Sequence, residues 1–108
     1  MYDVHADIVF EYGLPAVINS PRATEIARSA AWDTTTVDKV VSQGYPSLGG
    51  EDFSYYQQKV PGALVRVGSA CGDHGRAHLH SPHFDVDEEV IRVAVSLFTR
   101  SILQWVPD

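Results

Sequence analysis

The stretch from Val90 to Trp105 sets the strongest limit on what this chain folds into. Val90, Ala94, Leu97, Phe98, Ile102 and Trp105 recur at helical spacing and line one face, the pattern of an amphipathic helix that must lay that face on a large apolar surface. Asp85 and Glu88 stand ahead of it at capping-box spacing, with Asp in place of Ser or Thr, and Pro107 lies just past its end. The rest of the sequence has to supply the surface.

Three segments read as strands. Val4, Ala6, Ile8, Phe10 and Tyr12 alternate with polar residues, broken by Val9, which is the period of a strand with one buried face. The β-branched run Thr34-Thr35-Thr36-Val37 continues to Val40-Val41 and is ended by Gly44-Tyr45-Pro46, and Ala63-Leu64-Val65-Arg66-Val67 gives a third. Two more helices are expected. One starts at Ser20-Pro21, where a hydroxyl caps free N–H groups and a proline costs no hydrogen bond, and it carries a narrow apolar face of Ala23, Ile26, Ala27 and Ala30. The other runs from Glu51 to Lys59, with Glu51 and Asp52 at the positive end of its dipole and Phe53 and Tyr56 facing inward, and Pro61-Gly62 stops it.

The order βαβαβα predicts an α/β layer. The first strand is set apart by a Pro-containing crossover, and two remaining strands are a poor platform for three helices. The chain is therefore expected to be a piece of a larger α/β protein, or to complete its sheet with another copy as a homodimer or domain-swapped oligomer. Its 108 residues allow one domain at most.

Charge and cysteine content narrow the classes of partner and setting. Eight basic against fourteen acidic residues give a net charge of −6, which disfavours nucleic acid or an anionic membrane as the main partner. No signal peptide is visible, and the single cysteine, Cys71, excludes an internal disulfide. A soluble protein in the cytoplasm is the expectation.

The chemistry-bearing residues fall into two segments. Gly49-Gly50-Glu51-Asp52-Phe53 is a carboxylate-bearing turn, and Leu79-His80-Ser81-Pro82-His83-Phe84-Asp85 is an imidazole cluster. The Gly-Gly backbone followed by a helix N-terminus is suited to holding a substrate carboxylate through N–H groups, which makes Gly49, Gly50 and Glu51 the candidate substrate-binding residues. For the carboxylates of Glu51 and Asp52 the preferred role is capping the helix and holding a loop, rather than acid–base chemistry. The spacings from Cys71 to His83 do not match a common structural zinc pattern, so His74, His78 and His83 are read as solvent-facing or supporting groups. Asn19 is read as a polar turn residue ahead of Ser20.

These segments, in order with Tyr12-Gly13-Leu14-Pro15-Ala16-Val17-Ile18-Asn19, Val60-Pro61-Gly62, Val67-Gly68 and Asp87-Glu88, resemble the C-terminal portion of the M20 family of metal-dependent amidohydrolases and peptidases. The similarity is greatest to the branch of hippurate hydrolases and auxin-conjugate hydrolases, and it covers nearly the whole chain. It implies that residues 1–19 are the last strand and exit of a lid (dimerisation) domain, and that residues 20–108 are the end of a di-zinc aminopeptidase-like catalytic domain. It also implies hydrolysis of N-acyl amino acids or small peptides by two divalent metal ions, zinc or else Mn or Co. His80 matches the family's last metal ligand. The remaining ligands and the glutamate base lie upstream in the family, so no catalytic base is assigned to this chain, and the chain alone is expected to be inactive; the alternative is a stand-alone non-catalytic module or remnant that self-associates through unpaired strand edges.

Overall fold

The computed structural model describes residues 3–105. Three α-helices fall where the hydrophobic pattern places them: α1 (Pro21–Trp32), α2 (Phe53–Gln57) and α3 (Glu89–Gln104). Pro21 occupies the first turn of α1, as its missing N–H allows, while the Ser20 hydroxyl makes no capping bond; the Ser20 carbonyl accepts instead from the Thr24 N–H and hydroxyl. The cap of α3 also differs from expectation. Asp87, two residues after Asp85, presents Oδ1 to the Glu89 N–H at 2.8 Å, while Asp85 is engaged elsewhere.

The expected α/β layer is not present. Among the described residues the β pairing is confined to one isolated bridge between Cys71 and His74. Val4 to Tyr12 has no partner, and both of its faces are open, with Ile8 73% and Val9 83% exposed. The Thr34–Val41 run turns back after α1 instead of extending: Thr35 N–H reaches the Ala31 carbonyl, and Val37–Lys39 closes a 3₁₀ turn. Ala63–Val67 also carries no ladder. The physical reason is that a period of two records which face of a strand seeks burial, while a strand persists as a ladder only where a second backbone takes its N–H and carbonyl groups. Among the described residues no second backbone pairs with these segments as a ladder.

Without a sheet, the core is small. α3 packs across α1, burying Ala30 completely and Leu97 to 9% exposure. Arg22 lies over the Trp105 ring at 5.1 Å, and Asp33 receives Gln104 Nε2 at 3.2 Å with Arg100 at 3.9 Å. The Cα radius of gyration is 18.7 Å, against about 13 Å for a compact domain of this length. The accessible surface of 9611 Å² likewise exceeds the roughly 6,000 Å² of a compact chain of this mass.

Tyr56 was expected inward and is 66% exposed; its ring stacks on Phe53 at 6.4 Å between centroids. Phe53 is the half-buried member of the pair, seated against Gly62, where a Cβ would stand 3.1 Å from its ring.

Candidate functional site

The turn before α2 is held by its own side chains. Gly49 N–H donates to Ser47 Oγ at 3.2 Å, and Gly50 is pressed on Leu14, which would stand 2.8 Å from a Cβ at that position. The Glu51 carboxylate accepts the Phe53 N–H at 3.2 Å, and its carbonyl accepts both the N–H and the hydroxyl of the buried Ser54. Glu51 thus holds the first turn of α2, a helix of five residues.

His80 sits in the second segment, on the polar loop that leads to α3. It is exposed and has φ 67°, the left-handed region that a residue with a Cβ enters at a cost. The loop that presents it is anchored at several points. Asp87 N–H donates to the Ser69 carbonyl at 2.9 Å, Cys71 and His74 exchange backbone bonds, and Arg76 Nε bonds the Gly72 carbonyl. His74 Nδ1 meets Asp85 Oδ2 at 3.1 Å across the loop, and Asp85 Oδ1 accepts the Val86 N–H at 2.8 Å. The His74 ring first, and the Val86 N–H second, hold the Asp85 carboxyl below its ordinary value.

Gly75 makes the loop's tightest approach. Its φ is 69°, and a Cβ there would fall 2.2 Å from the Ser69 carbonyl oxygen. Only glycine fits.

A third constellation joins the exit from the first segment to the site region. Asn19 Oδ1 accepts the Leu64 N–H at 2.8 Å while Asn19 Nδ2 donates to the Leu64 carbonyl at 3.1 Å. Gln57, on α2, accepts the Ile18 N–H at 2.9 Å and donates to the Gly62 carbonyl at 3.1 Å, and Ser20 N–H reaches the same carbonyl. Asn19 is therefore much more than a turn residue. Nothing local in the sequence marks Gln57, whose partner Ile18 lies 39 residues away.

Among the described residues no hydrogen bond or ion pair links Gly49, Gly50 or Glu51 to His80. Nor, among the described residues, do three or more His, Cys, Asp or Glu side chains gather as a metal would require. The donors present do not fit a complete metal centre, since His80 offers a single imidazole and a bound zinc takes at least three protein ligands. No helix among the described residues is long and apolar enough to cross a membrane.

Comparison with known proteins supplies the class. The model of the family described as peptidase family M20/M25/M40 matches residues 2–104. The chain belongs to this family. Among relatives, "Putative amidohydrolase YhaA" of Bacillus subtilis (strain 168) is 33% identical over 106 residues, covering 97% of this chain and 26% of that protein. "IAA-amino acid hydrolase ILR1-like 4" of Arabidopsis thaliana is 32% identical over 84 residues, covering 77% of this chain and 19% of that protein. A Rhodococcus jostii (strain RHA1) protein, "Putative glutamate--cysteine ligase 2-3", is 37% identical over 90 residues, 83% of this chain, but the match covers only 11% of it. The chain spans about a quarter or less of the length of these relatives. No solved structure matches it.

Proposed function

We propose that this chain is the C-terminal part of a metal-dependent amidohydrolase that cleaves the amide bond of N-acyl amino acids or small peptides. The family match over residues 2–104 carries the reading, and relatives whose names include an amidohydrolase and an IAA-amino acid hydrolase support it. Residues 1–19 then close the lid domain and residues 20–108 end the catalytic domain. His80 is one ligand of a centre of two divalent ions, zinc by preference and Mn or Co otherwise. The exposed, left-handed His80 supports this, because a strained backbone position is retained where the surroundings or the function require it. Gly49, Gly50 and Glu51 form a wall beside the substrate. The setting is cytoplasmic, and neither nucleic acid nor membrane is a partner.

Among the described residues no three His, Cys, Asp or Glu side chains gather as a metal centre needs, so no catalytic step is assigned to them, and on this reading the isolated chain is inactive. Alone, its unpaired extended segments favour a homodimer or domain-swapped oligomer. The test is metal analysis of the purified chain together with an assay on hippurate and on IAA-amino acids. Substoichiometric metal without turnover is expected; turnover by the chain alone overturns its inactivity and supports the amidohydrolase reading.

A further inference from the structure

The attachments of the N-terminal arm begin at Leu14. Residues 3–13 are all exposed, and none of them has a hydrogen-bonded backbone group among the described residues. Leu14 lies against the backbone of Gly50: the three heavy atoms nearest to a Cβ placed there are all its own, the first at 2.8 Å. Four residues on, the Ile18 N–H donates to Gln57 Oε1 at 2.9 Å, and Gln57 Nε2 reaches the Asn19 amide oxygen at 3.4 Å. Asn19 carries the tie to Leu64, in the segment that borders an open apolar groove of about 710 Å³ between α1 and α3.

Both attachments of the 14–18 stretch fall on one short element. Gly50 lies in the turn that leads into α2, and Gln57 is the last residue of α2. A helix of five residues has little stability of its own, so its placement follows what touches its two ends. Glu51, next to Gly50, gives its carboxylate to the Phe53 N–H and its carbonyl to Ser54. A displacement of Gly50 is therefore passed to the Glu51 side chain.

We propose that Leu14 and Gln57 are positioning residues that couple the N-terminal arm to the Gly49–Glu51 turn, so that a change in the direction of the arm resets that turn. The functional consequence rests on the reading above, in which residues 1–19 close a lid domain and the turn is a wall beside the substrate. Gln57 fixes where the arm pivots, and Leu14 transmits its position to Gly50. Coupling of this kind is established only by showing that the two contacts act through each other.

The test is a double-mutant cycle read by NMR and amide exchange on the full 108-residue chain. Leu14→Ala should move the Gly50 and Glu51 amide resonances and speed exchange at the Phe53 amide, with the α3 amides unchanged. Gln57→Met has neither donor nor acceptor at its end, and should speed exchange of the Ile18 amide about fivefold. It should also move the Gly50 resonance, and this second effect should vanish when Leu14→Ala is already present. Gln57→Glu keeps the acceptor for Ile18 and should restore the Gly50 resonance. A Gly50 resonance that neither variant moves, an effect of Gln57→Met that is the same with and without Leu14, or loss of the α1–α3 pair in either single variant each overturns the proposal. None of these readouts needs turnover, so failure of the amidohydrolase assay counts against the functional reading and leaves the coupling standing.

Discussion

Asn19 and Leu64 are joined as paired strand residues are, with a side-chain amide standing in for one backbone: the Leu64 N–H is bound at 2.8 Å and its carbonyl at 3.1 Å. Both bonds are exposed to solvent, so each is worth about 1 kcal/mol or less. Their effect is geometric, because they bind residue 19 to the segment that borders the apolar groove. Gln57 reinforces the junction from α2.

Replacing Asn19 should therefore loosen a junction and leave the helix pair intact. Asn19→Ala is expected to destabilise the chain by about 1–2 kcal/mol and to increase hydrogen exchange at the Leu64 amide, with the α3 amides unchanged. Asn19→Asp keeps the acceptor but loses the donor, so the Leu64 amide should stay more protected than in Asn19→Ala. Equal exchange in the two variants would show that the Leu64 amide does not depend on the Asn19 oxygen.

Gly75 sets the fold of the loop below His80. A methyl at this position meets the Ser69 carbonyl at 2.2 Å while the backbone is held at φ 69°. Gly75→Ala should cost about 2 kcal/mol or more, and it should release the pairing of Cys71 with His74. Loss of slow exchange at the Cys71 and His74 amides, with α1 and α3 still folded, is the expected signature.

His80 is strained in the opposite sense, a side chain where glycine would rest more easily. His80→Gly should leave the stability of the isolated chain unchanged or raise it by up to about 1 kcal/mol, and His80→Ala should not raise it. A destabilised His80→Gly would mean that the imidazole holds the loop together rather than merely being displayed by it.

The Asp85 carboxyl lies below its ordinary value because it accepts from the His74 ring and from Val86 N–H. A carboxyl whose folded value is depressed contributes its stabilisation above the unfolded value and loses it as pH falls through the folded one. The tether across the loop is thus intact through the neutral range and is released only in acid. In a carboxyl NMR titration, the Asp85 midpoint should lie below the ordinary aspartate value, and His74→Ala should raise it toward that value. An unmoved midpoint would assign the depression to Val86 alone.

The helices were legible in the sequence because their signals are local: Pro21 at a first turn, apolar residues at helical spacing from Val90 to Trp105. The strands were misjudged because their completion is not local. The alternation from Val4 to Tyr12 states a need for a partner and says nothing of whether one is present. The Thr34–Val41 run shows the limit of propensity: with no neighbouring strand among the described residues to reward extension, it turns back and closes a 3₁₀ turn at Val37–Lys39. At the candidate site, His80 and the Gly49–Glu51 turn could be picked out by residue type. The pairing of His74 with Asp85, and of Asn19 with Leu64, depends on how loops close across 11 and 45 residues, which spacing alone does not reveal.

Two neighbouring residues of the apolar face of α3 should answer substitution differently, and the contrast separates what holds this chain together from what it leaves exposed. Leu97 is the buried residue of the helix, while Phe98, which lines the same groove, is 69% exposed. Leu97→Ala removes atoms from a core that has little else, at a cost of about 2–3 kcal/mol, and should abolish the helical circular dichroism of the α1–α3 pair. Phe98→Ser removes a ring that already faces water, so it should change stability by no more than about 0.5 kcal/mol and should improve solubility by shrinking an exposed apolar patch. Urea unfolding followed by circular dichroism reads both. If Phe98→Ser proved as damaging as Leu97→Ala, the groove would already be closed in solution, and the apolar face of α3 would be covered by the chain itself rather than left for another polypeptide.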